Sequence, residues 1–264
     1  MRAHVVDNAS HDGTPEMVTE EFPEVVLHAL PLNAGFSVAN NVVLRDVQSR
    51  YALLLNPDTE LLAGTLDHMV CTMEGRPDVG MAGCRLVRPD GTLDHAAKRS
   101  FPTPTSALGH FLWVGRRGDA PSRLAAYHVP ELADDGVGEV DAVNGAFMLV
   151  RVEAMQQVGL LDEGYWLYME DLDWCWLFRA RGWKILYDGR VTAVHVKGGT
   201  AGRYRELRQN VAFHRGMARF YRRHLAGANI PLDMLVYFGI YVRLVLSATY
   251  SSLARRSGFT RKTN

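Results

Sequence analysis

Short apolar runs alternate with segments of helical periodicity over the first part of the chain. The runs at residues 3–6, 25–30 and 51–55 predict strands, and each is followed by a polar turn. Between them, Thr14-Pro15 is typical of a helix start, and residues 36–48 carry apolar side chains at helical spacing. This β-α-β-α-β order predicts an α/β fold with a mainly parallel sheet flanked by helices.

The rest of the chain continues this alternation less regularly. Residues 98–139 are rich in turn residues and are predicted to form an acceptor-binding insertion. A helix that begins with acidic residues is predicted from Glu170 to Arg181, just before Gly182. The other predicted elements are a helix over 62–74 and strands over 79–87, 140–150, 184–187 and 191–195.

Two further helices are predicted at the C-terminal end, a basic one over residues 203–225 and an apolar one over 232–253. Charged residues interrupt the apolar segment, so its uncharged run is shorter than the roughly 20 residues of a membrane span. Its apolar face holds Leu235, Phe238, Val242, Leu246 and Thr249. Two alternatives remain open: a helix in a membrane interface, and a helix packed on the domain or on a second copy.

Charge is distributed unevenly along the 264 residues. The formal net charge is zero, which argues against general nucleic-acid binding. From residue 203 onward the chain has twelve Lys and Arg against two Asp and Glu, a net charge of +10, and residues 1–202 carry the opposite −10. We therefore expect an anionic membrane surface as a partner of the C-terminal part.

The compartment is predicted from cysteine usage and from the first residues. Three cysteines without metal-type spacing favour a reducing compartment. An acidic residue, Asp7, precedes any apolar run long enough for a secretory signal. We expect a cytoplasmic protein, peripheral at the inner face of the cell membrane.

Acidic residues and one histidine lie at the predicted ends of strands and helices. Asn56-Pro57-Asp58 follows a strand, Glu170-Asp171 opens a helix, and His195 ends a strand. A base beside an attacking hydroxyl and a cation beside a departing anion are what a metal-assisted transfer reaction requires. Each feature also has a structural explanation, since acidic residues suit a helix N-terminus and Asn-Pro-Asp suits a turn.

Six motifs, taken in order, resemble glycosyltransferase family 2, the inverting transferases of GT-A fold, and most closely its rhamnosyltransferase-like branch. They extend from residue 5 to about 200. They are Val5-Val6-Asp7-Asn8-Ala9-Ser10-His11-Asp12-Gly13, Asn33-Ala34-Gly35-Phe36 with Ala39-Asn40-Asn41, Leu54-Leu55-Asn56-Pro57-Asp58, Asn144-Gly145-Ala146-Phe147, Asp162-Glu163 through Asp173, and His195 with Gly198-Gly199.

The resemblance implies a role for each candidate residue. Asp171 matches the catalytic base. Asp58 and His195 match the ligands of Mg²⁺ or Mn²⁺, although Asn56 replaces the first acidic residue of the family's metal motif. Nucleotide-sugar binding is expected from Asp7, Asn33, Asp58 and Glu170.

The implied reaction moves a sugar, with inversion, from a nucleotide-sugar to an acceptor hydroxyl in cell-envelope polysaccharide synthesis. A dTDP-rhamnose donor and a glycan or polyprenyl-linked acceptor follow from the resemblance alone. We expect a GT-A domain over residues 1–202 and a helical extension over 203–264. The alternatives are a nucleotidyltransferase of similar fold and an inactive membrane-associated scaffold.

The resemblance has one gap. Family members usually open with a strand and a helix before the strand that carries Asp7, and this first strand lies in the middle of their sheet. Here Met1 stands at the second strand. We therefore expect the neighbouring strands to expose hydrogen-bonding edges, and the nucleotide pocket to be affected.

Overall fold

A mixed sheet forms the centre of the computed structural model, which describes residues 1–103, 129, 131–196 and 207–256. The strands are β1 His4–Asp7, β2 Val26–Ala29, β3 Tyr51–Leu55, β4 Thr59–Leu61, β5 Val79–Val87, β6 Lys98–Arg99, β7 Val137–Glu139, β8 Ala142–Val143, β9 Phe147–Arg151 and β10 Lys184–His195. The strand order of the central sheet is β3-β9-β5-β10-β4, with β7 also paired to β10. Strands β1 and β2 form a separate pair, as do β6 and β8.

Seven helices are described in these ranges, and they confirm the predicted α/β class with C-terminal helices. The basic helix begins at Leu207, so the predicted boundary at residue 203 lies outside the described residues. The helices are α1 Thr14–Glu21, α2 Phe36–Leu44, α3 Thr65–Glu74, α4 Val152–Val158, α5 Glu170–Ala180, α6 Leu207–His224 and α7 Ile230–Arg256.

Strand direction differs from the prediction of a mainly parallel sheet. Among the described pairs, only β1–β2 and β5–β10 are parallel, and the other five are antiparallel. Strands β3, β5 and β10 do run the same way, but β9 lies antiparallel between β3 and β5. Because β9 is buried between two neighbours, its apolar run looks like that of a parallel strand. Apolar composition does not encode strand direction.

The core lies where α5 packs on this sheet. Leu172, Trp174, Cys175 and Phe178 of α5 are fully buried, and so is most of β5 and β9. Burying one such apolar side chain contributes roughly 1.5–3 kcal/mol. The first turn of α5 is therefore held firmly, although it also contains buried acidic residues.

Helices α6 and α7 form two further layers over α5. Phe220 of α6 packs edge-on against Trp176 of α5. The Nε2 atom of His224, at the end of α6, lies 2.7 Å from Oδ1 of Asp173. In turn, Val236 and Ile240 of α7 are buried against α6. The C-terminal helices thus rest on the helix that carries the acidic pair.

Gly35 allows the loop before α5 to approach α2. The backbone N–H of Phe36 donates to the carbonyl oxygen of Trp166 at 2.8 Å. A Cβ at Gly35 would overlap that same oxygen, and the φ of Gly35 is +91°. Only glycine satisfies both requirements.

We predict that Gly35→Ala destabilises the fold more than Gly159→Ala does. Both glycines have similar backbone angles (φ 91°, ψ 172° and φ 101°, ψ 177°). A Cβ at Gly159 meets nothing within 4 Å, so this control carries the backbone cost alone. Urea unfolding of both variants measures the difference, which we expect to be about 1–3 kcal/mol. Equal losses of unfolding free energy in the two variants would show that the backbone at Trp166 moves away from the added Cβ without cost.

Candidate functional site

A cavity of 2550 Å³ lies between the β1–β2 pair and the edge of the main sheet. Every residue of 1–8 and every residue of 51–59 lines its wall, whereas strands seen face-on would contribute only alternate residues. The cavity therefore borders strand edges. All six candidate site residues line it: Asp7, Asn33, Asp58, Glu170, Asp171 and His195.

One end of the cavity carries Asp58 and His195. Their strands β4 and β10 pair antiparallel, with Thr59 opposite His195. The distance from Asp58 Oδ1 to His195 Nε2 is 3.3 Å. On its other side, His195 Nδ1 lies 3.2 Å from Oδ2 of Asp94, which is buried. Asp94 thus orients the imidazole and leaves Nε2 directed at Asp58.

This arrangement fits a divalent cation bound together with a substrate diphosphate. A metal-binding histidine usually has a carboxylate on its second ring nitrogen, which is the position of Asp94. In the described part of the chain no cluster offers three acidic, histidine or cysteine ligands. Asp58 and His195 would supply two ligands, so phosphate and water oxygens would have to complete the shell.

Asp171 lies at the N-terminus of α5 and is held from several directions. Its Oδ2 accepts a hydrogen bond from Arg99 Nη2 at 2.6 Å and from the backbone N–H of Gly145 at 3.2 Å. Its Oδ1 accepts from the N–H of Leu172 at 2.8 Å. The carboxylate is therefore fixed at the cavity wall.

Glu170 is the neighbouring acid and has a different environment. Its side chain is buried, and no described residue donates a hydrogen bond to its Oε2. Burial, followed by the nearby charge of Asp171, raises the pKa of Glu170 from 4.5 to about 8, against the lowering effect of Arg99. Glu170 therefore keeps its proton to higher pH than an exposed glutamate does, and a protonated carboxyl group can donate a hydrogen bond.

The backbone before this pair is strained. Tyr168 and Met169 both have positive φ, 68° and 73°, which is uncommon for residues other than glycine. The loop is stabilised by Trp166, whose ring lies 4.0 Å from the guanidinium of Arg208 in α6. Such strain beside two acidic residues is typical of a functional site.

Asp7 and Asn33 line the cavity from the β1–β2 pair and the loop after it. Asp7 is buried at the end of β1, and its Oδ2 accepts from the N–H of Ser10 at 3.0 Å. Asn33 is exposed and accepts from the N–H of Gly35 at 3.2 Å. Asn8 joins the two loops, because its side chain bonds both Ala34 and Gly35. Acidic and amide groups here can bind the base and ribose of a nucleotide.

Three residues that contact the candidate site residues or their loops were not predicted: Asn8, Asp94 and Arg99. Asn8 directly follows Asp7 in the motif over residues 5–13, and this position could have indicated that it belongs to the site. Asp94 follows a turn and Arg99 lies in a segment predicted as loop, so neither had a recognisable context. Cys71, on α3, is exposed and also lines the cavity, whereas Cys84 and Cys175 are buried.

Comparison with known proteins identifies the family. The family model "Glycosyl transferase family 2" matches residues 2–130. Residues 2–130 belong to this family. The resemblance to the family drawn from the motifs is therefore confirmed, and the protein is a glycosyltransferase.

Two curated relatives support this assignment of the glycosyltransferase. The chain is similar to N-acetylglucosaminyl-diphospho-decaprenol L-rhamnosyltransferase of Mycobacterium tuberculosis, with 27% identity over 75% of this chain and 67% of the relative. It is also similar to rhamnosyltransferase WbbL of Escherichia coli, with 26% identity over 61% of this chain and 60% of the relative.

Solved structures confirm the GT-A fold of the glycosyltransferase. A mannosyltransferase from Pyrobaculum calidifontis, solved with GDP-Man and Mn²⁺, superposes with a TM-score of 0.54 at 14% identity, over 100% of this chain and 67% of that one. GalNAc-T7, solved with UDP, GalNAc and Mn²⁺, gives 0.55 at 12% identity, over 96% and 51%.

We predict that Glu170→Gln flattens the pH dependence of the glycosyltransferase's stability. The raised pKa means that the folded chain binds the Glu170 proton more tightly than the unfolded chain does. The free energy of unfolding therefore falls as pH rises from about 4.5 to about 8, by at most about 1.4 kcal/mol per pH unit. Glutamine removes this loss. Urea unfolding at pH 5, 6, 7 and 8 measures it, with the exposed Glu16→Gln as control. A Glu170→Gln profile parallel to wild type would contradict the assignment.

Proposed function

We propose that this glycosyltransferase transfers rhamnose, with inversion, from a nucleotide-sugar to a hydroxyl of a polyprenyl-linked glycan in cell-envelope synthesis. The observation that carries the proposal is the single cavity that contains both the Asp58–His195 pair and the Glu170–Asp171 pair. The names of the mycobacterial and E. coli relatives support the sugar, and the decaprenol-linked substrate in the first name supports the acceptor.

Asp171 acts as the general base in this proposal. Its carboxylate takes the proton of the acceptor hydroxyl while that oxygen attacks the anomeric carbon of the donor sugar. The bond to the diphosphate oxygen breaks on the opposite face, so the configuration inverts. A base in this position contributes typically 10²–10⁴-fold to the rate.

Asp58 and His195 bind the leaving-group side. A Mg²⁺ or Mn²⁺ ion bound there would neutralise charge on the departing nucleoside diphosphate. Asp94 keeps His195 in the required tautomer through its 3.2 Å contact with Nδ1. Asp7 and Asn33 lie at the cavity end that would receive the nucleoside, and Glu170 donates a hydrogen bond to a sugar oxygen of the bound donor.

We expect Asp171→Asn to abolish transfer while nucleotide binding persists. The amide preserves the shape of the side chain but cannot take a proton. Transfer is measured with dTDP-rhamnose and a short polyprenyl-diphospho-N-acetylglucosamine, and dTDP binding by calorimetry with Mn²⁺. We expect a loss of at least about 100-fold in turnover.

Asp58→Ala is the complementary variant in the same assays. It should lose the Mn²⁺ dependence of dTDP binding, whereas Asp171→Asn keeps it. Near-normal turnover of Asp171→Asn would exclude Asp171 as the base. If Asp58→Ala kept the full Mn²⁺ dependence of dTDP binding, the cation would have to bind elsewhere.

We also propose that α7 holds the enzyme against an anionic bilayer. Residues exposed along α7 form one apolar stripe opposite the side that packs on α6. The five predicted face residues are all among them. The stripe consists of Met234, Leu235, Phe238, Tyr241, Val242, Val245, Leu246, Thr249 and Tyr250.

The packing of α7 favours a position in the membrane interface. By length and composition, residues 230–252 could cross a membrane, which corrects the prediction that the apolar run is too short. However, α7 lies on α6, and α6 is fixed to the domain by Arg219 and Arg223, which pair with Asp162. A crossing α7 would have to leave α6 or draw its arginines into lipid, which is costly.

We predict that the full chain floats with liposomes containing anionic phospholipid at low salt, and less so with neutral ones. Phe238→Glu should abolish flotation, because it places a charge in the centre of the stripe. Leu62→Glu changes an exposed apolar residue outside α7 and is the control. Soluble wild-type protein in the presence of anionic vesicles would refute the membrane proposal.

A further inference from the structure

Arg99 is buried at the cavity wall and makes two contacts through a single nitrogen. Its Nη2 donates both to Oδ2 of Asp171 and to the carbonyl oxygen of Val143. The side chains of Arg99 and Asp171 are only 7% and 12% exposed. Water screens such a shielded ion pair little, so the positive charge of Arg99 acts strongly on the Asp171 carboxylate.

The fold directs Arg99 to this position. Strand β6 pairs antiparallel with β8, with Arg99 opposite Ala142. Side chains alternate along a strand, so Lys98 and Arg99 point to opposite faces. Lys98 Nζ lies 2.8 Å from Asp134, on the side away from the cavity, and Arg99 faces the acidic pair.

The groups around the acidic pair set its charge. Glu170 and Asp171 come from α5, Arg99 from β6, and the buried thiol of Cys175 from the next turn of α5. Asp141 is also near, but its carboxylate pairs with Arg179 at 2.8 Å. Of these two adjacent acids, Asp171 is the one that pairs with Arg99, at 2.6 Å.

We propose that Arg99 is a positioning residue for the base: it keeps Asp171 ionised and turned to the cavity. This inference rests on the proposed role of Asp171. Without the guanidinium, burial beside a second acid would favour a protonated Asp171, which cannot accept the acceptor's proton.

The test is the pH dependence of kcat/KM with dTDP-rhamnose and the short polyprenyl-diphospho-N-acetylglucosamine. We expect Arg99→Met to move the acidic limb to higher pH by about 1–3 units, the effect of an opposite charge at this distance. A merely structural role would lower activity at every pH and leave the limb where it is. The position of the limb does not depend on how much of the protein is folded.

Three further variants complete the test. Arg99→Gln also removes the charge but can still donate to Val143, so it replaces Arg99→Met if that variant does not fold, with the same shift expected. Arg99→Lys restores a cation and should return the limb toward wild type. Lys98→Met removes the neighbouring buried cation and should not move the limb.

The outcomes separate the two proposals. Normal turnover of Asp171→Asn overturns the proposed base and this inference with it. An inactive Asp171→Asn together with an unmoved limb in the neutral Arg99 variants leaves the base in place and overturns the role of Arg99.

Discussion

Three carboxyl groups are buried within the first turn of α5, and much of the surrounding structure serves to make this possible. An isolated buried carboxylate is costly, so each group needs its own compensation. Glu170 keeps its proton, Asp171 pairs with Arg99, and Asp173 is bonded by Tyr165, Arg223 and His224. The apolar side of the same helix supplies the packing that keeps the turn in place.

These compensations connect parts of the chain that are far apart in sequence. Arg99 requires the β6–β8 pair, and His224 requires the end of α6. The C-terminal helices are thus attached to α5, which carries the acidic pair, by charge as well as by apolar contact. If α7 lies in a membrane interface, the acidic pair is at a fixed distance from the surface that would carry a lipid-linked acceptor.

The sequence predicted which candidate residues lie together better than it predicted the direction of the strands. Asp58, Asp171 and His195 stand at element ends, where polar residues after apolar runs are conspicuous, and all three line one cavity. Arg99 and Asp94 lie in a segment without periodicity, and their roles depend on contacts 72 and 101 residues away along the chain. The antiparallel direction of β9 likewise depends on its neighbours, which the run Phe147–Val150 does not specify.

The cysteine distribution has a practical consequence for following the cavity in solution. Burial raises the pKa of the Cys84 and Cys175 thiols to about 12, so neither forms the reactive thiolate readily. Cys71 is exposed at the cavity wall. A thiol-directed fluorophore would therefore label the unmodified chain at one position, beside the site, and its emission would report when the cavity fills or changes shape.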